Sequence, residues 1–253
     1  MTRVTRLARL TRTNTLVIFS DDHLGADAFD EARFDDCIRW CLENEALVYL
    51  AGDHVENSVA SGKDPGEKLL EQAIWPTEQI KSFVSKLRPL AKKGRIAGAL
   101  RGNHEARTRR ESLLDVSELI ATMLDTPYDG VGGLIRFQAG ARVYSAGIHH
   151  GSRAGANTWL ELDRMLRLYP TADLVSLGHN HDFNARQVTH IDVATDGTEM
   201  IRRRWQVRSG TMLRFADYAR AMCLTPSVIG HPVIRFSPKA QEVSVDISTL
   251  AWL

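Results

Sequence analysis

Five apolar runs in this chain end alike, and that repeated ending constrains the fold more than any other feature. Residues 15–19 run into Ser20-Asp21-Asp22-His23-Leu24-Gly25, and residues 46–51 into Gly52-Asp53-His54. Residues 95–100 run into Arg101-Gly102-Asn103-His104-Glu105, residues 142–148 into His149-His150-Gly151, and residues 174–177 into Gly178-His179-Asn180-His181. Short apolar runs bounded by turn residues read as buried strands. Strands alternating with helical stretches make an α/β fold, whose loops at the strand carboxyl ends gather on one edge of a sheet. Five polar endings on one edge make a site. Asp21 and His23, like His179 and His181, stand two residues apart, so their side chains can point to one side of an extended segment.

The stretches between these runs supply the helices. Phe34, Ile38 and Cys41 repeat at helical spacing and predict a helix over 27–44, capped by Asp27 or Asp30. A helical stretch is expected over 67–93, broken at Trp75-Pro76 because proline removes a donor. Further helices are expected over 112–124, with Ser112 as cap, and over 157–168. Residues 57–66, rich in Ser, Gly and Pro, read as a loop. Strands over 134–138 and 142–148 form a hairpin at Ala139-Gly140, and strands over 187–194 and 201–208 form another at Asp196-Gly197. Strands over 232–237 and 242–247 follow, and the strands from 187 to 247 are expected to complete a second sheet.

Composition narrows the class. A chain of 253 residues with 43% apolar and 25% charged residues fits one globular domain that needs no staples. Three cysteines, Cys37, Cys41 and Cys223, with no C-x-x-C pair, argue against a disulfide framework or a structural zinc site. A cytoplasmic location is the default expectation. No apolar run approaches membrane-spanning length. Arg3, Arg6, Arg9 and Arg12 mark residues 1–13 as a basic, solvated tail before a single domain over 14–253. A net charge of +1 neither announces nor excludes a nucleic-acid partner.

The clustered residue types are carboxylate, imidazole and amide, without thiolate. Such a set suits Mn²⁺ first, with Fe, Zn²⁺ or Ni²⁺ as further options, rather than Ca²⁺. The candidate ligands are too many for one ion, and two ions sharing Asp53 would use them all.

Asp21-x-His23, Gly52-Asp53, Gly102-Asn103-His104-Glu105, His150-Gly151 and Gly178-His179-x-His181 resemble, in order, the motif set of the calcineurin-like metallophosphoesterases. The resemblance spans residues 15 to about 182. It implies a four-layer αββα sandwich flanked by helices, with a dinuclear site at one edge. It also implies one ion held by Asp21, His23, Asp53 and His181 and another by Asp53, Asn103, His150 and His179. His104 would then stand beside the leaving group as a general acid, with Glu56 a candidate to orient it. In register Asp21 is preferred to Asp22, and His150, directly before glycine, to His149. The implied reaction is hydrolysis of a phosphoester by a hydroxide activated between two metals.

The substrate is narrowed less. The protein-phosphatase branch of the family carries Gly-Asp-x-x-Asp-Arg-Gly, and here Asn57 stands where that arginine would be. A phosphodiesterase or nuclease acting on nucleic acid or nucleotides is therefore favoured over a phosphomonoesterase or protein phosphatase. A scaffold of the same fold without turnover is the remaining alternative, disfavoured because His104 is retained. Asn57, Arg107 and Arg153 are the candidate substrate contacts. Arg109 and Arg110, with Arg202, Arg203 and Arg204, form either a solvated face or a phosphate track. His54, His149, His190 and His231 are read as surface or hydrogen-bonded residues, His231 within a turn.

Overall fold

The computed structural model describes residues 6–59, 72–151, 158–193, 196–215, 226 and 228–252. In chain order the strands are Leu7–Arg9 (β1), Thr15–Phe19 (β2), Leu47–Leu50 (β3), Ile96–Ala99 (β4), Gly133–Ala139 (β5), Arg142–His149 (β6) and Leu174–Leu177 (β7). After these come Phe183–Val193 (β8), Glu199–Ser209 (β9), Ile229–Gly230 (β10), Val233–Phe236 (β11), Val243–Asp246 (β12) and Ala251–Trp252 (β13). The helices are Glu31–Glu43 (α1), Pro76–Lys92 (α2), Glu105–Ser112 (α3), Val116–Met123 (α4) and Thr158–Leu168 (α5).

Two sheets result. One runs β12-β11-β2-β3-β4, the other β1-β5-β6-β7-β9-β8. Strands β2, β3 and β4 are parallel to one another, as are β6 and β7. Alternation along each strand sorts the core into layers. Leu16, Ile18, Leu47 and Tyr49 meet Ile135, Phe137, Tyr144 and Leu174 between the sheets. Val17, Phe19, Val48 and Leu50 face outward and pack with Phe34, Phe83, Leu87 and Ile120 from α1, α2 and α4. Val175 and Leu177 meet Leu162 and Met165 of α5 on the opposite outer face. The order is helix, sheet, sheet, helix. Cys37 and Cys41 are buried in the first outer layer, and burial pushes both thiols up.

Several boundaries differ from the sequence expectation for local reasons. Helix α1 starts only at Glu31, because the Asp30 side chain accepts from Arg33 N and caps it. Trp75-Pro76 is a helix start, with Pro76 at the first position where a missing N–H costs nothing. The expected helix over 112–124 is two helices: Ser112 ends α3, Leu113 turns left-handed at φ 63°, and Asp115 rather than Ser112 caps α4. The strands from 187 to 247 do not complete one sheet. Strands β8 and β9 join the six-stranded sheet, whereas β11 and β12 extend the five-stranded one antiparallel to β2.

Part of the tail expected over 1–13 lies in a sheet, and residues 1–5 lie outside the described residues. Strand β1 pairs in parallel with β5, Leu7 opposite Arg136. Arg6 bonds Ala97 O and pairs with Asp129 at 2.6 Å, and Asp129 also accepts from Tyr49 Oη at 2.8 Å. Among the described residues, no helix is long and apolar enough to cross a membrane.

Arg6→Ala leaves a carboxylate and a carbonyl short of their donor. It should cost about 1–3 kcal/mol in urea unfolding. An unchanged midpoint would mean that this segment is a solvated tail after all.

Candidate metal centre

The turns after β2, β3, β4, β6 and β7 bring their polar residues into one space. Asp21, His23 and His181 form one group of donor atoms within 4.8 Å of one another, and Asp53, His150 and His179 form a second. Asn103 joins the second group, its Oδ1 2.9 Å from His150 Nε2. Asp21, His23, Asp53 and His150 are buried, while His179 and His181 are half-buried.

Backbone geometry makes this convergence possible. Asp21, His23, Asp53, His179 and His181 all have left-handed φ, between 52° and 71°. Residues with a Cβ rarely adopt it, and it persists where the surroundings over-determine it. The flanking glycines leave no room for a side chain. A Cβ on Gly178 would lie 2.2 Å from Ser20 Oγ, and one on Gly102 2.1 Å from Asp53 N.

Neighbours fix which nitrogens face the centre. His150 Nδ1 donates to Ala51 O at 3.0 Å, so its Nε2 points at Asp53 Oδ2, 3.1 Å away, and at Asn103. His23 Nδ1 donates to Glu56 Oε2 at 3.0 Å, so its Nε2 faces His181 Nε2 at 3.1 Å. An imidazole anchored on one nitrogen and aimed inward with the other is how a histidine is prepared to hold a metal. Lone pairs of nitrogen and oxygen aimed at each other need a cation between them, so the residues fit a divalent metal at each group.

Without a metal, protons take that place. Burial lowers the His150 pKa, but the charges of Asp53 and Asp21 outweigh it and push it up to about 10. Burial likewise opposes protonation of His23, yet Glu56, with Asp53 and Asp21, raises it to about 9. Burial and the neighbouring His23 charge hold His181 down at about 4, despite Asp21, so it accepts the His23 proton. Burial works to raise Asp53 and Glu56, but the histidines around them hold both well below the usual carboxylate range.

His104 lies beside the second group, its Nε2 3.9 Å from Asp53 Oδ2. Its Nδ1 donates to the Glu56 carbonyl at 2.8 Å, and its Nε2 accepts from Arg107 Nη2 at 2.8 Å. The Glu56 carboxylate stands 3.3 Å from His104 Nδ1 but bonds His23 more closely. Glu56 therefore orients His104 mainly through its backbone.

Asn57 does not face the opening. It is 1% exposed, its Nδ2 donates to His104 O at 2.7 Å, and its Oδ1 accepts from Thr108 Oγ1. It holds the turn that carries His104 instead of meeting a substrate. Arg153 lies outside the described residues. In the run at 202–204, Arg204 is buried and donates to the carbonyls of Ala172, Leu166 and Tyr169, Arg202 donates to Thr171 O, and Arg203 is exposed. His149 bonds Tyr169 Oη at 2.6 Å.

Three residues matter here to which the sequence analysis gave no role. Asp22 turns away from the centre and accepts from His54 Nδ1 at 2.7 Å and from His231 Nε2 at 2.9 Å. His231 is wholly buried and hydrogen-bonded, between β10 and β11. Glu105, also buried, accepts from the backbone N–H groups of Asp53, His54 and Val55. No local signal marks these roles, since the partners lie 32 to 209 residues apart.

No family model matches the chain, and no curated protein does. Among solved structures, it is similar to a single mutant of Vps29 from Entamoeba histolytica at 12% identity, with a TM-score of 0.46 and 92% of this chain and 97% of that one covered. It is similar to hypothetical protein PH1004 from Pyrococcus horikoshii OT3 at 8% identity, with a TM-score of 0.48 and coverage of 92% and 87%. It is also similar to the calcineurin-like phosphoesterase YfkN from Bacillus subtilis at 11% identity, with a TM-score of 0.44 and coverage of 92% and 90%. At such identities and scores these likenesses transfer no residue roles, and the site stands on its own geometry.

Metal uptake has to expel the protons on His23 and His150, whose metal-free pKa values are about 9 and 10. Mn²⁺ binding at pH 7 should therefore release about two protons per chain, and affinity should rise with pH up to that range. Calorimetry in buffers of different ionisation enthalpy measures the release. Binding without proton release would contradict this electrostatic account.

Proposed function

We propose that this chain is a metal-dependent phosphoester hydrolase of the calcineurin-like kind, acting on a phosphodiester of a nucleic acid or nucleotide. The observation that carries the reading is the convergence of two donor groups, Asp21-His23-His181 and Asp53-His150-His179, with His104 beside them. Asp21, His23 and His181 would hold one divalent cation and Asn103, His150 and His179 the other, with Asp53 shared. Mn²⁺, Fe or Zn²⁺ would suit this mix of oxygen and imidazole donors. Two such cations supply a water of lowered pKa and positive charge against the phosphoryl oxygens.

The chain's own residues supply the rest. His104 is placed to give a proton to the leaving oxygen, since an alkoxide departs poorly without one. In the resting geometry Arg107 caps His104 Nε2 and also donates to Glu56 O at 3.0 Å. An anionic phosphoryl group offers this guanidinium a stronger, charge-assisted partner. Its departure frees Nε2 to carry the proton that is transferred. Among the described residues Arg107 is the arginine bonded to His104, and a single such charge suits a diester, which carries one negative charge, better than a monoester dianion. Asn57, which stands in place of a second arginine, is turned inward.

His104→Asn should lower kcat for a thymidine dinucleotide by about 10²–10⁴ while Mn²⁺ uptake persists. The loss should be smaller on bis-p-nitrophenyl phosphate, whose leaving group needs no proton. An equal loss on both substrates would contradict the acid role. Turnover of p-nitrophenyl phosphate but of neither diester would replace the diesterase reading with a phosphatase. No turnover of any of them by the Mn²⁺-loaded wild type would favour a scaffold.

A further inference from the structure

We propose that Asp22, His54 and His231 form a buried clamp that sets the metal-holding turns in place before a cation arrives, which makes Asp22 and His231 positioning residues of the centre. The inference rests on the metal-dependent reading above and adds residues outside the donor set.

Asp22 sits between two candidate ligands, yet its carboxylate points the other way. It is 0% exposed, and both of its oxygens are taken, Oδ2 by His54 Nδ1 at 2.7 Å and Oδ1 by His231 Nε2 at 2.9 Å. These bonds hold its carboxylate outside both donor groups. His54 Nε2 accepts from Gly52 N at 3.0 Å, which fixes its proton on Nδ1 and aims that proton at Asp22. One hydrogen-bonded line thus runs from His231 through Asp22 and His54 to the backbone N–H of Gly52.

That line ties together three segments that meet only in the fold. The turn after β2 carries Asp21 and His23, the turn after β3 carries Asp53, and His231 lies between β10 and β11, 209 residues from Asp22. Stacking holds the two rings. His231 lies on Phe19 with centroids 4.5 Å apart and 18° between planes, and His54 lies on Phe83 at 4.9 Å and 24°.

The clamp answers a definite need. Asp21, His23 and Asp53 adopt φ of 56°, 53° and 52°, a region that residues with a Cβ leave unless held. Met212 N and Thr211 Oγ1 hold the Asp21 carbonyl, and the Glu105 carboxylate holds the amides of Asp53, His54 and Val55. Backbone bonds from Asp21 N to Gly52 O and from His23 N to Asp53 O, with the His23–Glu56 pair, join the first turn to the second, and Asp22 adds the side-chain link from both to His231. A buried carboxylate is costly in a core unless it is fully bonded, so an apolar residue would serve packing better. The position makes sense if geometry at the centre is what it provides.

Partners behind metal ligands typically change metal affinity by about 10–100-fold when removed. The test is calorimetric titration of Mn²⁺ into metal-stripped, full-length wild type, Asp22→Asn, His231→Gln and His231→Asn, each well below its own melting temperature. A glutamine amide reaches where Nε2 lies, whereas an asparagine amide stops near Nδ1. Asp22→Asn and His231→Asn should bind Mn²⁺ about 10–100-fold more weakly, and His231→Gln within about threefold of wild type. The two His231 variants decide the question even if Asp22→Asn does not fold. Wild-type affinity in His231→Asn, with only its melting temperature lowered, would overturn the clamp and leave a structural hydrogen bond. Wild-type protein that takes up no Mn²⁺ would remove the metal-centre reading and this inference with it.

Discussion

Electron-rich side chains gathered in a buried space need positive charge among them, and this molecule is arranged around that constraint. Asp21, Asp53 and Asn103 bring oxygens, and His23, His150, His179 and His181 bring nitrogens, to neighbouring positions. Such a cluster is costly in a low-dielectric interior unless something cationic satisfies it. In the metal-free chain the solution is protonation of His23 and His150, against the pull of burial. A divalent ion at each group satisfies the same lone pairs with more charge and fixed geometry. The centre is thus poised between protons and metals, and the surroundings decide how sharply it is shaped for the latter.

The sandwich is the means of holding the cluster together. Three parallel strands of one sheet and two of the other end beside it, and apolar layers on both outer faces keep the strands from shifting. Turns without room for a Cβ at Gly102 and Gly178 let backbones approach closely enough for side chains from separate segments to share an ion. Buried carboxylates outside the donor set, Asp22 and Glu105, then bind the turns by hydrogen bonds. Rigidity at the centre comes from polar groups that never touch its contents.

What was legible in the sequence was what local pattern encodes. The apolar runs at 15–19, 46–51, 95–100, 142–148 and 174–177 announced the strands, and the residues after them announced the cluster. The preference for Asp21 over Asp22 and for His150 over His149 came from the family resemblance, by motif register and by the glycine after His150, and the structure has Asp21 and His150 in the two donor groups. Relations between distant segments were not legible. Strand β1 forms because Arg6 meets Ala97 and Asp129, which no window of sequence reveals. Which sheet each late strand joins depends on whether its free edge meets β2 or β7, a tertiary matter. Asn57 was placed at the substrate by its position after Asp53, but its left-handed turn, φ 46°, sends the amide inward. His231 gave no sign of its partner until the fold brought residue 22 beside it.

The central claim is that these side chains converge to hold two cations with Asp53 between them. Diffraction from crystals grown with Mn²⁺, read through the anomalous signal of the metal, tests it most directly. The account predicts two peaks roughly 3.5–4 Å apart. One should lie against Asp21, His23 and His181, the other against Asn103, His150 and His179, with Asp53 touching both. A well-ordered crystal with no peak there, or with a single ion bound by other residues, would contradict it.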